Sequence, residues 1–149
     1  MTDYKKLEKF LQSGGSSSFD EMSFNVFKAQ LGDLRKVSEE IINLLQRFGG
    51  SSFKPNVRLN IKGNDSYEIY HFMSIGIQGG QENLIQFMEE NPDTPKLPLT
   101  YSGFSEFNRV WIGIEPRDKN TFGKIYVSPD SGNRYYSDLN DLIDNIELV

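Results

Sequence analysis

Residues 37–50 of this chain carry the start, body and stop of one amphipathic helix. Ser38 stands where a capping hydroxyl accepts hydrogen bonds from amides that no carbonyl reaches. Glu39 and Glu40 place negative charge at the positive end of the helix dipole. Ile41, Leu44, Leu45 and Phe48 recur at helical spacing, so one face is apolar and must be buried. Gly49 is the expected left-handed residue that ends the helix. This segment also divides the chain, because helical patterns precede it and strand patterns follow.

On the N-terminal side, residues 2–11 predict a first helix with Tyr4, Leu7, Phe10 and Leu11 on one side. Residues 13–18 are serine and glycine, a flexible connection. Ser18 with Glu21 three residues on fits a capping box. It opens a second helix to about Leu31, with Phe19, Met22, Val26 and Phe27 inward and Gly32 as its end.

On the other side, Val57, Leu59 and Ile61 alternate with Arg58 and Asn60 as in a half-buried strand. Residues 62–65 are turn chemistry, and residues 67–75 are apolar on both parities. The expectation is a hairpin whose second arm is one long central strand. Gly76, Gly79 and Gly80 mark irregular backbone. Residues 82–90 predict a short helix stopped by Asn91 and Pro92, and residues 97–99, with Pro98 inside, predict an edge strand. Val110, Ile112 and Ile114 share one strand face, and Arg109, Trp111 and Glu115 the other. A turn over residues 118–123 returns the chain into residues 124–127. Ser137 is the expected cap of a last helix with Leu139, Leu142, Ile143 and Ile146 apolar. Helices segregated from strands joined by short turns predict an α+β fold. N-terminal helices and a C-terminal helix surround a mainly antiparallel sheet of about four to six strands, in one domain over residues 1–149.

Residue inventory narrows the chemistry. The chain has no cysteine and one histidine, His71, so a His/Cys metal site lacks its ligands and a thiolate nucleophile is absent. No G-x-S-x-G elbow accompanies His71, which is expected in a structural or surface role. The glycines of residues 76–80 lack the Lys-Ser/Thr of a phosphate loop. Glu106 and Glu115 are the candidates for a carboxylate pair. No cofactor or metal is expected. Formal charge is −5, balanced over residues 1–50 and acidic beyond, which disfavours nucleic acid and suits a basic partner. No apolar run spans a bilayer, and no signal-like apolar stretch follows Met1, so a cytoplasmic protein is expected.

Two surfaces stand out. Asp138, Asp141, Asp144 and Glu147 repeat every third residue and would form an acidic ridge on the last helix, a docking edge for a basic protein. Trp111 and Tyr126, with Tyr70, Arg109, Glu115 and Lys124, would line the outward sheet face as interface anchors. A covering helix would turn the same rings into core.

The order of landmarks resembles the SUKH superfamily, which includes the yeast cell-wall-assembly regulator and many bacterial toxin-immunity proteins. Leu31-Gly32 matches that family's L-G, and residues 37–41 stand at its L-P-x-x-Y. Leu44-Leu45 and Phe48-Gly49-Gly50 follow in register with the family's helix end, N-G-G. Ser38 replaces the family's proline, Ile41 its tyrosine and Phe48 its asparagine. The strand pair at residues 110–114 and 123–127 and the closing helix from Ser137 extend the likeness over about residues 18–146. The resemblance implies a non-catalytic module that binds a partner protein, in bacteria a cognate toxin neutralised in the cytoplasm. The competing expectations are a regulatory or scaffold relative without a toxin, and a small-molecule binder or carboxylate-based hydrolase.

Overall fold

The helix with the clearest sequence signature forms within those bounds: α3 (Glu39–Phe48) is capped by the Ser38 side chain, which accepts from the Ile41 amide, and it buries Ile41, Leu44, Leu45 and Phe48. Its end differs from the expectation. Gly49 has φ of −55°, and the positive φ of +83° falls on Gly50. Gly49 is required for another reason: a Cβ there would lie 2.4 Å from the Leu45 carbonyl oxygen. The computed structural model describes residues 2–15, 17, 19–61, 65–76, 83–101, 109–127 and 135–149.

Two helices precede α3. The first is short: α1 (Tyr4–Glu8) is capped by Asp3 and followed by a 3-10 turn over Gln12–Gly14. In α2 (Glu21–Leu31) the cap is Asp20, whose carboxylate accepts from the Ser23 amide at 3.0 Å and the Ser23 hydroxyl at 2.8 Å. The expected Ser18 cap lies outside the described residues, and the cap observed is two residues later. Carboxylate and hydroxyl caps are of similar strength, so spacing alone does not choose between them.

The strands are β1 (Val57–Ile61), β2 (Asp65–Glu68), β3 (His71–Phe72), β4 (Lys96–Pro98), β5 (Thr100–Tyr101), β6 (Val110–Gly113), β7 (Ile125–Val127), β8 (Tyr135–Tyr136) and β9 (Ile146–Leu148). All of their pairings are antiparallel, and they group as β2-β1-β9, β3-β5 and β4-β6-β7-β8. The fold is α+β, as expected, with the strands among the described residues divided among three short sheets. The β1–β2 hairpin forms with Arg58 opposite Glu68 and Asn60 opposite Ser66. The long second arm does not. Ile69 and Tyr70 interrupt it, and β3 leaves to pair with β5. An apolar run on both parities fits a chain passing between two sheets as well as it fits one central strand. β4 lies at a sheet edge with Pro98 opposite Trp111, as its proline requires.

Two further helices complete the chain, α4 (Leu84–Glu90) and α5 (Leu139–Asp144). α5 ends before Ile146, which enters β9 and pairs with Leu59 of β1. The main core joins Leu7, Phe27, α3, Val57, Leu59, Ile61, Phe72, Val110, Ile112, Ile125 and Leu142. No helix among the described residues is long and apolar enough to cross a membrane.

Buried phenols give the fold an alkaline limit. Burial, with the Asp118 charge second, pushes the Tyr126 hydroxyl up to about 12. Burial, with Asp141 second, also raises Tyr136, whose hydroxyl donates to the Asn60 carbonyl at 2.9 Å. Unfolded tyrosine loses its proton near pH 10 (order of magnitude). Above that value the folded chain holds more protons than the unfolded one, so stability falls as pH rises from about 10 towards 12. Urea midpoints measured across that range should drop, and Tyr126→Phe should drop less steeply. A flat profile would contradict the burial of both phenols.

Candidate functional site

The two surfaces expected from sequence do not form as drawn. Asp138 is the N-cap of α5, and its carboxylate accepts from the Asp141 amide at 2.8 Å. Asp141 answers in the other direction, accepting from the Ser137 amide at 2.9 Å and the Ser137 hydroxyl at 3.3 Å. The two carboxylates thus satisfy amides at a helix start, a variant of the capping box in which the N3 side chain reaches the amide of the residue before the cap. Ser137 is held by this box and does not cap. Asp144 pairs with Lys6 at 2.7 Å, binding α5 to α1, and Glu147 sits on β9 opposite Arg58. The period of three is therefore cap chemistry followed by a strand, and no four-residue ridge exists. Asp138→Ala should cost about 1 kcal/mol and Asp138→Asn nearly nothing. Asp144→Ala, at an exposed pair, should cost under about 1 kcal/mol. Thermal melts of the three variants check this, and an equal loss for all three would refute the cap assignment.

The outward sheet face is covered. Trp111 is 2% exposed, lies opposite Tyr126 across the strands, and meets the Phe87 ring of α4 edge-on at 5.9 Å. Lys96 Nζ lies 4.9 Å from the Trp111 ring centroid. Tyr126 is buried as well. The alternation read from sequence is correct, but Phe87 of α4 packs on Trp111 and Tyr126 is buried beside it, so these rings are not surface anchors. Tyr70 is exposed but precedes β3, in a different sheet. Arg109 stacks over Tyr101 and Lys124 over Tyr135. Glu115 is clamped by Arg117 through Nε at 2.8 Å and the second guanidinium nitrogen at 3.0 Å. These bonds hold its carboxyl down at about 2, which removes it as a general acid. Glu106 and most of the glycine segment 76–80 lie outside the described residues.

His71 has a specific partner. Its Nδ1 lies 2.8 Å from Ser52 Oγ in a hydrogen bond. A serine–imidazole pair invites a nucleophilic reading, but an acyl transfer also needs amide donors aimed at the developing oxyanion. The amides beside Ser52 are engaged: Ser51 donates to the Phe48 carbonyl, Phe53 to Tyr70 and Lys54 to Phe10. The pair instead ties the segment after α3 to β3, where Ser52 and His71 also form a bridge. Among the described residues no group of three or more His, Asp or Glu side chains could hold a metal ion.

The surface that does stand out is one the sequence reading placed indoors. α2 buries Ser23, Phe27 and Leu31, a stripe one position round from the expected one. Phe24 packs at its flank, tilted against Phe19 with ring centroids 5.6 Å apart and lying under Lys28 at 4.8 Å. With Phe24 and Phe27 both inward, the helix rotation is fixed, and Met22 and Val26 are left 71% and 45% exposed. The signal was present: Met22, Phe24, Val26, Phe27 and Leu31 span too wide an arc for one buried stripe.

Met22 and Val26 form one wall of a groove of about 540 Å³ against α4, whose Ile85 supplies the facing apolar side chain and whose Glu89 and Glu90 stand at the rim. Asn83 closes one end. Its side-chain oxygen accepts from the Ile85 amide at 2.8 Å and the Gln86 amide at 3.3 Å, and its side-chain nitrogen donates to the Gly76 carbonyl. These bonds tie the start of α4 to Gly76. Among the described residues, no lysine or arginine lines the groove. No family model, curated protein or solved structure matches the chain, so the likeness to the SUKH superfamily rests on the sequence motifs alone.

Proposed function

We propose that this chain is a non-catalytic protein-binding module that neutralises a cognate bacterial toxin by stoichiometric binding. The observation that carries the reading is the α2–α4 groove, an exposed apolar strip bordered by carboxylates between two helices. Apolar side chains held in solvent beside a charged rim are the anatomy of an interaction surface. Two other features support it. Both Glu115 carboxylate oxygens are engaged by Arg117, and the amides near the Ser52–His71 pair are already bonded. The motif likeness to toxin-immunity proteins supplies the toxin, and the acidic balance suits a basic one.

The test is co-expression with the product of the adjacent reading frame. The expected result is a 1:1 complex by calorimetry and protection of cells from that product, with no turnover. Failure to bind or protect would remove the toxin reading. Binding several unrelated proteins weakly would instead favour a scaffold relative.

A further inference from the structure

We infer that the groove between α2 and α4 receives a basic amphipathic helix from the partner protein, an inference that rests on the binding-module reading above. Three observations select that occupant. The first is spacing. Met22 and Val26 are four apart on α2, one turn of helix, so the wall presents two apolar knobs at the pitch a docking helix offers in return. The second is the helical character of the two apolar walls. Met22, Val26 and Ile85 all belong to helices, whose backbone groups bond within their own turns. An extended peptide gains affinity by adding a strand to a sheet edge, and the helices that supply the apolar side chains offer none. Side-chain packing is what remains, and that is how a helix sits in a groove.

The third observation is charge. Glu89 and Glu90 stand at the rim, Glu21 is exposed in the first turn of α2, and no ion pair among the described residues engages any of them. Among the described residues Glu90 accepts a neutral amide, from Gln86 at 3.2 Å. Lysine or arginine flanking the apolar stripe of the incoming helix would complete these carboxylates. The same charges argue against other occupants. A second copy docked about a two-fold axis would set Glu89 and Glu90 against their own duplicates, and an anionic bilayer would repel them.

The probe is a fluorescein-labelled, helix-forming peptide with leucines at i, i+3, i+4 and i+7 and lysines on both flanks, titrated with the full chain. The control peptide carries glutamates in place of the lysines. The expected result is saturable binding of the lysine peptide, weakening with salt, and none of the glutamate peptide. Met22→Asp and Val26→Asp should each weaken binding about tenfold or more. Glu89→Lys with Glu90→Lys should do the same and admit the glutamate peptide. Met22→Asp is a clean variant, because aspartate in the first turn of a helix is favourable and the site is exposed. Its melting temperature should match the parent.

Three results would overturn the inference. They are no binding of the lysine peptide, equal affinity of Met22→Asp for it, and a concentration-dependent dimer that Met22→Asp dissolves. The two readings fail separately. A Met22→Asp variant that still neutralises the neighbouring toxin overturns the groove and leaves the module. Peptide binding without any toxin binding keeps the groove and removes the immunity role.

Discussion

Trp111→Ala should lower the unfolding free energy by about 3–5 kcal/mol, the usual cost of deleting a large buried ring. Trp111 is 2% exposed, and its ring has a defined neighbour in Phe87 of α4. Its removal leaves a cavity between β6 and α4 that the rigid sheet cannot collapse into, because β6 is bonded on both sides, to β4 and β7. For a chain of this length such a loss lowers the melting temperature by roughly 10 °C or more. It should also loosen α4, and so degrade the groove that α4 walls. Trp111→Phe keeps most of the packing and should recover more than half of the loss. Chemical denaturation of the two variants decides the matter. A loss under about 1 kcal/mol for Trp111→Ala would mean that α4 does not cover the sheet.

Gly113→Ala should be comparably severe, for a different reason. Gly113 ends β6, and a Cβ there would lie 1.9 Å from the Thr121 carbonyl oxygen and 2.3 Å from its carbon. Both atoms are backbone, so no side chain can swing aside. The turn is fixed against β6 by two bonds, from the Gly113 amide to the Lys124 carbonyl at 3.2 Å and from the Gly123 amide to the Gly113 carbonyl at 3.1 Å. Inserting a methyl group must break them, at a cost of about 3 kcal/mol or more. Gly123 supplies the control. It has φ of +75° with open space around it, so Gly123→Ala meets only backbone strain of about 1–2 kcal/mol. Comparable losses at the two positions would show that the turn over residues 118–123 does not press on β6.

The contrast between these glycines explains what the sequence made legible. Local chemistry was readable: the Ser38 cap, the apolar face of α3, the β1–β2 hairpin and the alternation along β6 follow from nearest-neighbour spacing. What could not be read depends on which element lies against which. Nothing in residues 109–115 says that Phe87 approaches Trp111, so an inner face looked like an outer one. Nothing in the α2 sequence alone says which of two overlapping apolar arcs meets the core. The choice falls to Phe24 and Phe27, and the groove is the arc left over. The aspartates of residues 138–144 misled because capping and docking use the same residue type, and only the partner atoms distinguish them.

The position of β1 has a consequence for how the molecule is made. It is the middle strand of its sheet, with β2 from the residues just after it on one side and β9, formed by Ile146–Leu148, on the other. As the ribosome extends the chain, β1 and β2 can zip together early, while the opposite rim of β1 stays unclosed until residues 146–148 emerge. For that interval a half-finished sheet is presented to every other nascent chain nearby. Any interruption of synthesis upstream of those residues would leave a sticky intermediate in place of a smaller folded protein.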